Sequence, residues 1–156
     1  EAGAKYINPD IKFTSVMSGS WTDVAKGKEI GISMISTNKA DVIFSFASGV
    51  DAGVREACQS ADNVYFIAQP SESHDTAPDI TVTSIIQSNE ALIYHAMETA
   101  ANGTFKGGYY IAGFEDGGTC SLGVFGDFFD ADKQAKVNDV INKIKSGEID
   151  CDNYAK

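Results

Sequence analysis

Two hydrophobic periods alternate along this chain, one typical of buried strands and one typical of helices. Residues 41–46 (DVIFSF) form a short apolar run of the kind that predicts a buried strand. The following residues place their apolar side chains at the i, i+4, i+7 and i+8 positions of one helix face, namely Val50, Val54, Ala57 and Cys58. This strand and helix form one β-turn-α unit, in which Cys58 is a predicted core residue.

The same alternation continues on both sides of this unit. Further strands are predicted at residues 11–17, 64–68, 80–86 and 109–114, with a short extended piece at residues 119–125. Further helices are predicted from a cap at Ser20 or Thr22 to about Thr37, over residues 88–101, and between Asp130 and Gly147. Strands that alternate with helices predict an α/β fold, with a Rossmann-like, mostly parallel sheet and helices on both faces.

The helix between Asp130 and Gly147 has the clearest signals. Asp130 suits the N-cap because its carboxylate can accept a hydrogen bond from the first turn. Gly147 suits the end of the helix because glycine adopts the left-handed conformation at little cost. One apolar face lies between them and carries Val137, Val140, Ile141 and Ile144.

Composition and charge narrow the classes of protein and of partner. The chain has 156 residues, of which 43% are hydrophobic and 22% are charged, as expected for one globular domain with a buried core. Its formal charge of −10 at pH 7 argues against nucleic acid and anionic membrane, because phosphates are bound by clustered Lys and Arg. No apolar run approaches the roughly 20 residues that span a bilayer, and residues 1–9 do not resemble a signal peptide. We therefore expect a soluble chain that binds a neutral or cationic solute.

The cysteines do not form a recognisable pattern. Cys58, Cys120 and Cys151 lack CxxC or Cys/His metal spacing, and an odd number of cysteines does not complete a disulfide framework. We expect free, structural thiols. The sequence also allows a Cys120–Cys151 bridge in an oxidising compartment.

Ligands of an open parallel α/β sheet bind beyond the carboxyl ends of the strands, so the loops at those ends are the candidate site. The first loop carries Trp21, the only tryptophan, beside Ser20. The ring offers a stacking face for a planar base or a sugar, and the hydroxyl can orient the ligand. The alternative is that Trp21 packs over the start of the next helix. The second loop carries Ser48 and Gly49, where the backbone either approaches a ligand at a helix N-terminus or simply turns.

The next two turns add polar groups to the candidate site. Glu72 can accept hydrogen bonds from ribose hydroxyls or from a base, and the alternative is a solvated loop carboxylate. Gln87 carries an amide that faces either a pocket or water. The predicted ligand-binding residues are Trp21, Ser20, Ser48, Gly49, Pro70, Glu72 and Gln87.

The sequence offers little that would support catalysis. Its two histidines, His74 and His95, belong to no recognisable catalytic pattern, and an HExxH motif is absent. Residues 118–123 (GTCSLG) have Thr119 where the nucleophile elbow requires glycine, and no segment ends in the Gly-Lys-Ser/Thr of a P-loop. We expect no catalytic residue, no metal site and no cofactor.

Five segments keep a recognisable order and spacing over nearly the whole chain. They are GAKYINPDIK (3–12), GSWTDVAKGKE (19–29), ADVIFSFASG (40–49), APDITVTSI (77–85) and NGTFKGGYYIAGFEDGG (102–118). Together they resemble the basic membrane lipoprotein family of ABC-transporter substrate-binding proteins. The resemblance implies a type I periplasmic-binding fold, in which two Rossmann-like lobes close on a ligand. It also implies that residues 1–156 form a single α/β lobe, most of the C-terminal lobe, and that residues from about 87 to 110 cross toward a first lobe outside this chain.

The resemblance also has implications for the ligand. Trp21 matches the family's aromatic residue after Gly-Ser, which lies against a nucleoside, and Gly49 matches the family's glycine-rich turn. Pro70 stands where the family has a ligand-binding aspartate, and Gln87 stands where it has a lysine. The resemblance therefore implies a nucleoside-like ligand that is bound without these two charged side chains. Glu72, two positions beyond Pro70, is our candidate for replacing the family's carboxylate.

The function implied by the resemblance is that of an extracytoplasmic solute-binding protein, lipid-anchored at the cell membrane in its full-length form. It would deliver a nucleoside-like molecule to an ABC permease. Two alternatives stay open: a ligand-sensing module of the same fold, and binding of a different solute such as a sugar. Because an interior strand would lie outside this chain, we also expect an open apolar sheet edge. Such an edge favours association with a partner chain or the first lobe, or a rearranged sheet.

Overall fold

The computed structural model describes residues 1–114 and 118–151. Within these residues, one sheet contains four strands in the order β1-β2-β3-β4. The strands are Val42–Phe44 (β1), Tyr65–Ala68 (β2), Thr81–Gln87 (β3) and Cys120–Leu122 (β4). Strands β1, β2 and β3 are parallel, whereas β4 runs antiparallel to β3. The predicted α/β class with a mostly parallel sheet is therefore confirmed.

Helices precede or follow the strands much as the hydrophobic pattern predicts. They are Ala2–Ile7 (α1), Val24–Ser36 (α2), Gly49–Gln59 (α3), Asn89–Ala101 (α4) and Ala131–Lys145 (α5), with a short 3₁₀ turn at His74–Thr76. Across the described ranges, no helix combines the length and the apolar character needed to cross a membrane.

Side-chain caps fix where the helices begin. Asp130 caps α5 as predicted, because its carboxylate accepts a hydrogen bond at 2.8 Å from the backbone N–H three residues later. The cap predicted for α2 is wrong. Asp23, rather than Ser20 or Thr22, caps this helix and accepts a hydrogen bond from the Lys26 N–H at 3.0 Å. A carboxylate is also favoured there by the partial positive charge of the helix N-terminus.

The core lies between α3 and the first two strands. Its buried members are Ile43, Val50, Val54, Cys58, Val64, Phe66 and Ala68. All four positions of the predicted α3 face are buried, so that prediction is confirmed. Full burial of an apolar side chain of this size stabilises the fold by about 1.5–3 kcal/mol. This face therefore fixes α3 against the sheet.

Glycines allow α2 and α3 to pack in direct backbone contact. A Cβ on Gly53 would overlap the carbonyl oxygen of Val24, and a Cβ on Gly27 would overlap that of Val50. Any larger residue at these two positions would push the helices apart. The contact holds the loop before α2 beside the loop before α3.

Two segments predicted as strands are not strands. Residues 11–17 pair with no strand of the described chain, and Met17 at their end is 91% exposed. Residues 109–114 also contain no strand, and Tyr109 and Ile111 are exposed. A β-rich sequence becomes a strand when a neighbouring strand covers it, because strand preference largely expresses packing on a pleated surface. Both segments lack such a neighbour here and leave apolar side chains in contact with solvent.

Helix α5 ends as predicted but is less covered than α3. Gly147 follows the C-cap with φ of 76°, in the left-handed region that favours glycine. The predicted apolar face is only partly buried, at Val137, Val140, Ile141 and Ile144. Among the described residues, α5 is therefore less tightly packed than the central α3.

The cysteines form no disulfide in the described part of the chain. Cys58, Cys120 and Cys151 all belong to this part. The Cys58 side chain is fully buried, and this burial raises the pKa of its thiol to about 11, against a smaller opposing effect of a backbone hydrogen bond. Cys58 is therefore a protonated core residue, as the helical spacing predicts.

Candidate functional site

The carboxyl ends of β1, β2 and β3 lie side by side and carry three of the four loops predicted to bind ligand, whereas the fourth, residues 18–23, follows no strand and is held beside them. Three hydrogen bonds join neighbouring loops: from the Gly49 N–H to the Trp21 carbonyl at 2.9 Å, from the Gln69 side-chain amide to the Ser45 carbonyl at 3.2 Å, and from the Gln87 N–H to the Pro70 carbonyl at 2.8 Å. We call residues 18–23, 45–49, 69–73 and 87–88 the carboxyl edge. All seven predicted site residues lie on it.

Trp21 forms an exposed aromatic pair with Phe46 on the carboxyl edge. The two rings are 6.4 Å apart between centroids and meet edge to face at 88°. Trp21 is 63% exposed and Phe46 is 56% exposed. Large aromatic side chains are usually buried, so an exposed pair beside polar loops offers a stacking surface to a flat ligand.

The turn that presents Trp21 is built by neighbouring serines. The Ser20 hydroxyl oxygen accepts hydrogen bonds from the Thr22 N–H at 3.2 Å and from the Asp23 N–H at 3.1 Å. The Ser18 hydroxyl donates to the Ser20 carbonyl at 2.7 Å. Hydroxyls that bond to nearby backbone in this way stabilise tight turns. Ser20 thus shapes the turn, and its hydroxyl can still donate its own proton to a further acceptor.

The loop between β1 and α3 is held in a close turn. Asp51, which is buried, accepts hydrogen bonds from the Ser45 hydroxyl and from the Ala47 N–H, the second at 2.8 Å. Ser48 has φ of 57°, in the left-handed region. A Cβ on Gly49 would stand 3.2 Å from the Trp21 carbonyl oxygen, so glycine permits the two loops to approach each other.

The Glu72 carboxylate is bonded to three separate parts of the chain. One oxygen accepts hydrogen bonds at 2.9 Å from the N–H groups of Ser73 and His74, and at 2.8 Å from the Ser84 hydroxyl. The other oxygen accepts one from the Val124 N–H at 2.7 Å. Partial burial raises the pKa of Glu72, but the hydrogen bonds from His74, Val124, Ser84 and Ser73 outweigh it and lower the pKa below its ordinary value. These bonds to its own chain leave the predicted contact between Glu72 and a ligand untested.

Some residues on the carboxyl edge were not anticipated from the sequence. The hydrophobic pattern predicts Phe46 as the last residue of a buried strand, whereas β1 ends at Phe44. The sequence places Gln69 in a polar loop, and its side-chain amide joins this loop to the loop after β1 through the Ser45 carbonyl. The Lys26 ammonium lies 3.5 Å from the point where a Cβ on Gly19 would stand, which brings a cation to this edge. A stop to the apolar run at Ser45 was the one sequence signal that could have placed Phe46 outside the strand.

The described residues contain no constellation typical of a metal or catalytic centre. No group of three or more His, Cys, Asp or Glu side chains within residues 1–114 and 118–151 could hold a metal ion. His95 stacks on Tyr110 with ring centroids 4.0 Å apart, and His74 lies 3.5 Å from the neighbouring Asp75 carboxylate. The geometry of this edge suits binding by stacking and hydrogen bonding.

Comparison with known sequences identifies the family. The profile of the family described as "ABC transporter substrate-binding protein PnrA-like" matches residues 1–153. Basic membrane protein C of Borreliella burgdorferi is 31% identical over 151 residues, which cover 96% of this chain and 43% of that protein. The ABC transporter nucleoside-binding protein BmpA of Lactococcus lactis is 25% identical over 165 residues, covering 96% and 45%. The chain thus spans less than half the length of these relatives.

Solved structures show the same fold. A transcriptional activator of the comK gene from Bacillus halodurans superposes with a TM-score of 0.76 at 25% identity, over 90% of this chain and 48% of that one. A solute-binding protein of an ABC transporter system from Aeropyrum pernix superposes with a TM-score of 0.73 at 19% identity, over 99% and 54%. The first of these structures belongs to a protein that is named as a regulator. The second, at its lower sequence identity, shows only that the fold is the same. From the profile match over nearly its whole length, the chain belongs to the PnrA-like family of ABC transporter substrate-binding proteins, a family of binding proteins rather than enzymes.

Proposed function

We propose that this chain is part of an extracytoplasmic solute-binding protein that delivers a nucleoside-like small molecule to an ABC permease. The observation that carries the proposal is the exposed pair of Trp21 and Phe46 at the carboxyl edge of a parallel sheet. A relative of similar coverage is named for nucleoside binding, which supports the ligand class. Stacking on a planar base is the interaction that such a pair provides best.

The remaining predicted residues would orient the ligand around this stacking surface. The hydroxyls of Ser20 and Ser48 and the amide of Gln87 are suited to ribose or base hydrogen bonds, while Gly49 lets backbone approach the ligand. Two carboxylates near the edge, Asp51 and Glu72, already accept hydrogen bonds from this chain. Recognition would therefore rest mainly on stacking and on neutral donors and acceptors, in keeping with an uncharged solute.

We further propose that residues 1–156 form most of one lobe and that residues from about 87 to 110 cross toward another lobe of the full-length protein. No residue of α4 is buried. Its exposed apolar side chains and those just after it form one series: Leu92, Ile93, Tyr94, Met97, Phe105 and Tyr109. An apolar surface of this kind marks an interface, and a second lobe closing over the carboxyl edge would cover it.

Binding by the full-length protein tests the proposed ligand class. Isothermal titration with adenosine, guanosine, inosine and ribose should show micromolar or tighter binding of at least one nucleoside. Trp21→Ala should weaken it by about tenfold or more, because stacking and area burial are both removed. Tyr6→Ala is a matched control, since Tyr6 is an exposed aromatic residue that borders α5 instead. Binding of ribose alone, or equal affinities for wild type and Trp21→Ala, would contradict the proposal.

A second candidate function is a ligand-sensing module of the same fold. The observation that favours it is the likeness to the Bacillus halodurans protein named as a transcriptional activator. The two functions differ in location. Labelling of the full-length protein by radioactive palmitate, with recovery in the membrane fraction, supports a lipid-anchored receptor. Recovery in the cytoplasm with specific binding to DNA supports the sensor instead.

A further inference from the structure

The loop after β2 is held at two places by hydrogen bonds to residues that are distant in sequence. Near its start, the Pro70 carbonyl accepts a hydrogen bond from the Gln87 N–H at 2.8 Å. Two residues later, the Glu72 carboxylate reaches Ser84 on β3 and Val124 after β4. We propose that Glu72 is a positioning residue, which holds this loop in the shape that the ligand requires and acts without touching the ligand. The inference rests on the proposed function and assigns a role within the same site.

The hydrogen-bond geometry favours this internal role. The Glu72 oxygen that accepts three bonds is saturated by donors of its own chain, two of which belong to the same loop. The other oxygen is held by the Val124 N–H at 2.7 Å, a short bond of the charge-assisted kind. The carboxylate therefore links the loop both to β3 and to the segment after β4, and fixes where Pro70 stands.

The space around the carboxylate provides independent support. A Cβ on Gly123 would overlap the second Glu72 oxygen and would stand 3.1 Å from the Ser84 Cβ. The φ of Gly123 lies outside the left-handed region, so alanine is allowed there by the backbone. Room for the carboxylate, rather than backbone conformation, is what requires glycine at this position.

Variants that cannot change a ligand contact distinguish positioning from direct binding. Ser84 is completely buried, and Gly123 has no side chain. In the full-length protein, Ser84→Ala removes one partner of the carboxylate, and Gly123→Ala displaces it. We expect both variants, like Glu72→Gln, to weaken inosine, adenosine or guanosine binding by about tenfold at an unchanged number of sites. Glu56→Gln, which alters an exposed pair with Lys28 between α2 and α3, should leave affinity unchanged.

A double variant separates positioning from general destabilisation. In a Glu72→Ala background the crowded carboxylate is absent and only the tight approach to the Ser84 Cβ is left, so Gly123→Ala should decrease affinity much less than it does in wild type. Additive decreases would overturn the proposal, because they would mean that Gly123 acts independently of Glu72. Weakened binding in Glu72→Gln with normal binding in both Ser84→Ala and Gly123→Ala would overturn it in favour of direct contact.

Hydrogen exchange tests the hydrogen bonds of the Glu72 carboxylate directly and needs no ligand. The amides of His74 and Val124 should exchange at least about tenfold faster in Glu72→Ala than in wild type, whereas the Ser73 amide, which also donates to the Ser84 hydroxyl at 3.0 Å, and the amides of α3 should change less. Unchanged protection of His74 and Val124 would overturn the positioning role, even if nucleosides bind. If these amides lose protection and no nucleoside binds, the positioning role of Glu72 is supported and the proposed nucleoside ligand is wrong.

Discussion

Asp51 and Glu72 have the sequence character of surface acids, yet each accepts several hydrogen bonds from its own chain. Both lie near the carboxyl edge, and both accept backbone hydrogen bonds. The Glu72 partner Val124 is 52 positions away along the chain, so local sequence gives no sign of it. For Trp21 the sequence leaves open whether the ring faces a ligand or packs over the next helix, and the structure shows it 63% exposed. Side-chain roles that depend on local turns can be predicted, whereas roles that depend on distant backbone donors cannot.

The lowered pKa of Glu72 predicts a pH-dependent contribution to stability. A carboxyl whose folded pKa lies below its ordinary value of about 4.3 stabilises the fold fully above that pH, and this stabilisation disappears as the pH falls through the folded pKa. Because Glu72 is exposed and solvent screens its charge, Glu72→Gln should lower the free energy of unfolding by only about 0.5–1 kcal/mol at pH 7. Urea unfolding should show a smaller difference in the free energy of unfolding between wild type and Glu72→Gln at pH 3 than at pH 7. A difference of equal size at both pH values would contradict this role.

The buried thiol of Cys58 should be chemically inert. Its raised pKa, about 11, and its full burial leave almost no thiolate at neutral pH. A thiol-reactive chromophore should therefore modify exposed Cys151 rapidly, and Cys58 only after urea is added. Cys58→Ala should lower the free energy of unfolding by about 1–2 kcal/mol through the cavity it leaves. Rapid labelling of Cys58 in the folded protein would show that the core opens more readily than its packing implies.

At the scale of elements, the hydrophobic pattern succeeded where each element carries its own signals. Strand β3, helix α4 and helix α5 fall within one or two residues of their predicted bounds, because period, caps and glycine stops agree. Residues 11–17 and 109–114 are apolar and β-rich, yet they are not strands. Their strand character depends on a neighbour that the described chain does not provide, and single-sequence patterns do not contain that information.

Backbone contact between α2 and α3 predicts a sharp difference between two glycines. Gly53→Ala should destabilise the protein by about 3 kcal/mol or more, because the new methyl group meets the Val24 backbone. Gly3→Ala is the matched control. It also lies in a helix but has nothing within 4 Å of the added Cβ, so the change should be below about 1 kcal/mol and favourable. Thermal unfolding measures both, and similar melting temperatures for the two variants would contradict the packing described.

The whole molecule combines a tight core with open apolar surfaces. Val42 and Phe44 on β1 are about half exposed on either side of the buried Ile43, and the α4 region is exposed over several apolar side chains. The chain spans less than half of the relatives that it matches. The fold class was predictable from the sequence, since it follows from alternating strands and helices, and the location of the candidate site stays a prediction from the same alternation. The surroundings of the site were not predictable, because a cleft between the proposed lobes would involve residues from both.

These open surfaces predict association of the chain when it is produced alone. Sedimentation velocity of residues 1–156 should show concentration-dependent assembly, since exposed sheet edge and an apolar helix face both favour contacts between chains. Ile93→Lys with Met97→Lys should reduce assembly, whereas Ile32→Lys on α2 serves as a control for a similarly exposed residue. A monodisperse monomer at all concentrations would contradict the proposed interface.

The central claim is that this chain contributes the stacking edge of a receptor for a nucleoside-like solute. The most direct measurement is mass spectrometry of the small molecule that co-purifies with the full-length protein after mild isolation and denaturation. We expect one unmodified nucleoside or close analogue at near-stoichiometric amount, which is absent from Trp21→Ala. A stoichiometric sugar, a charged solute, or a nucleoside retained equally by Trp21→Ala would contradict it.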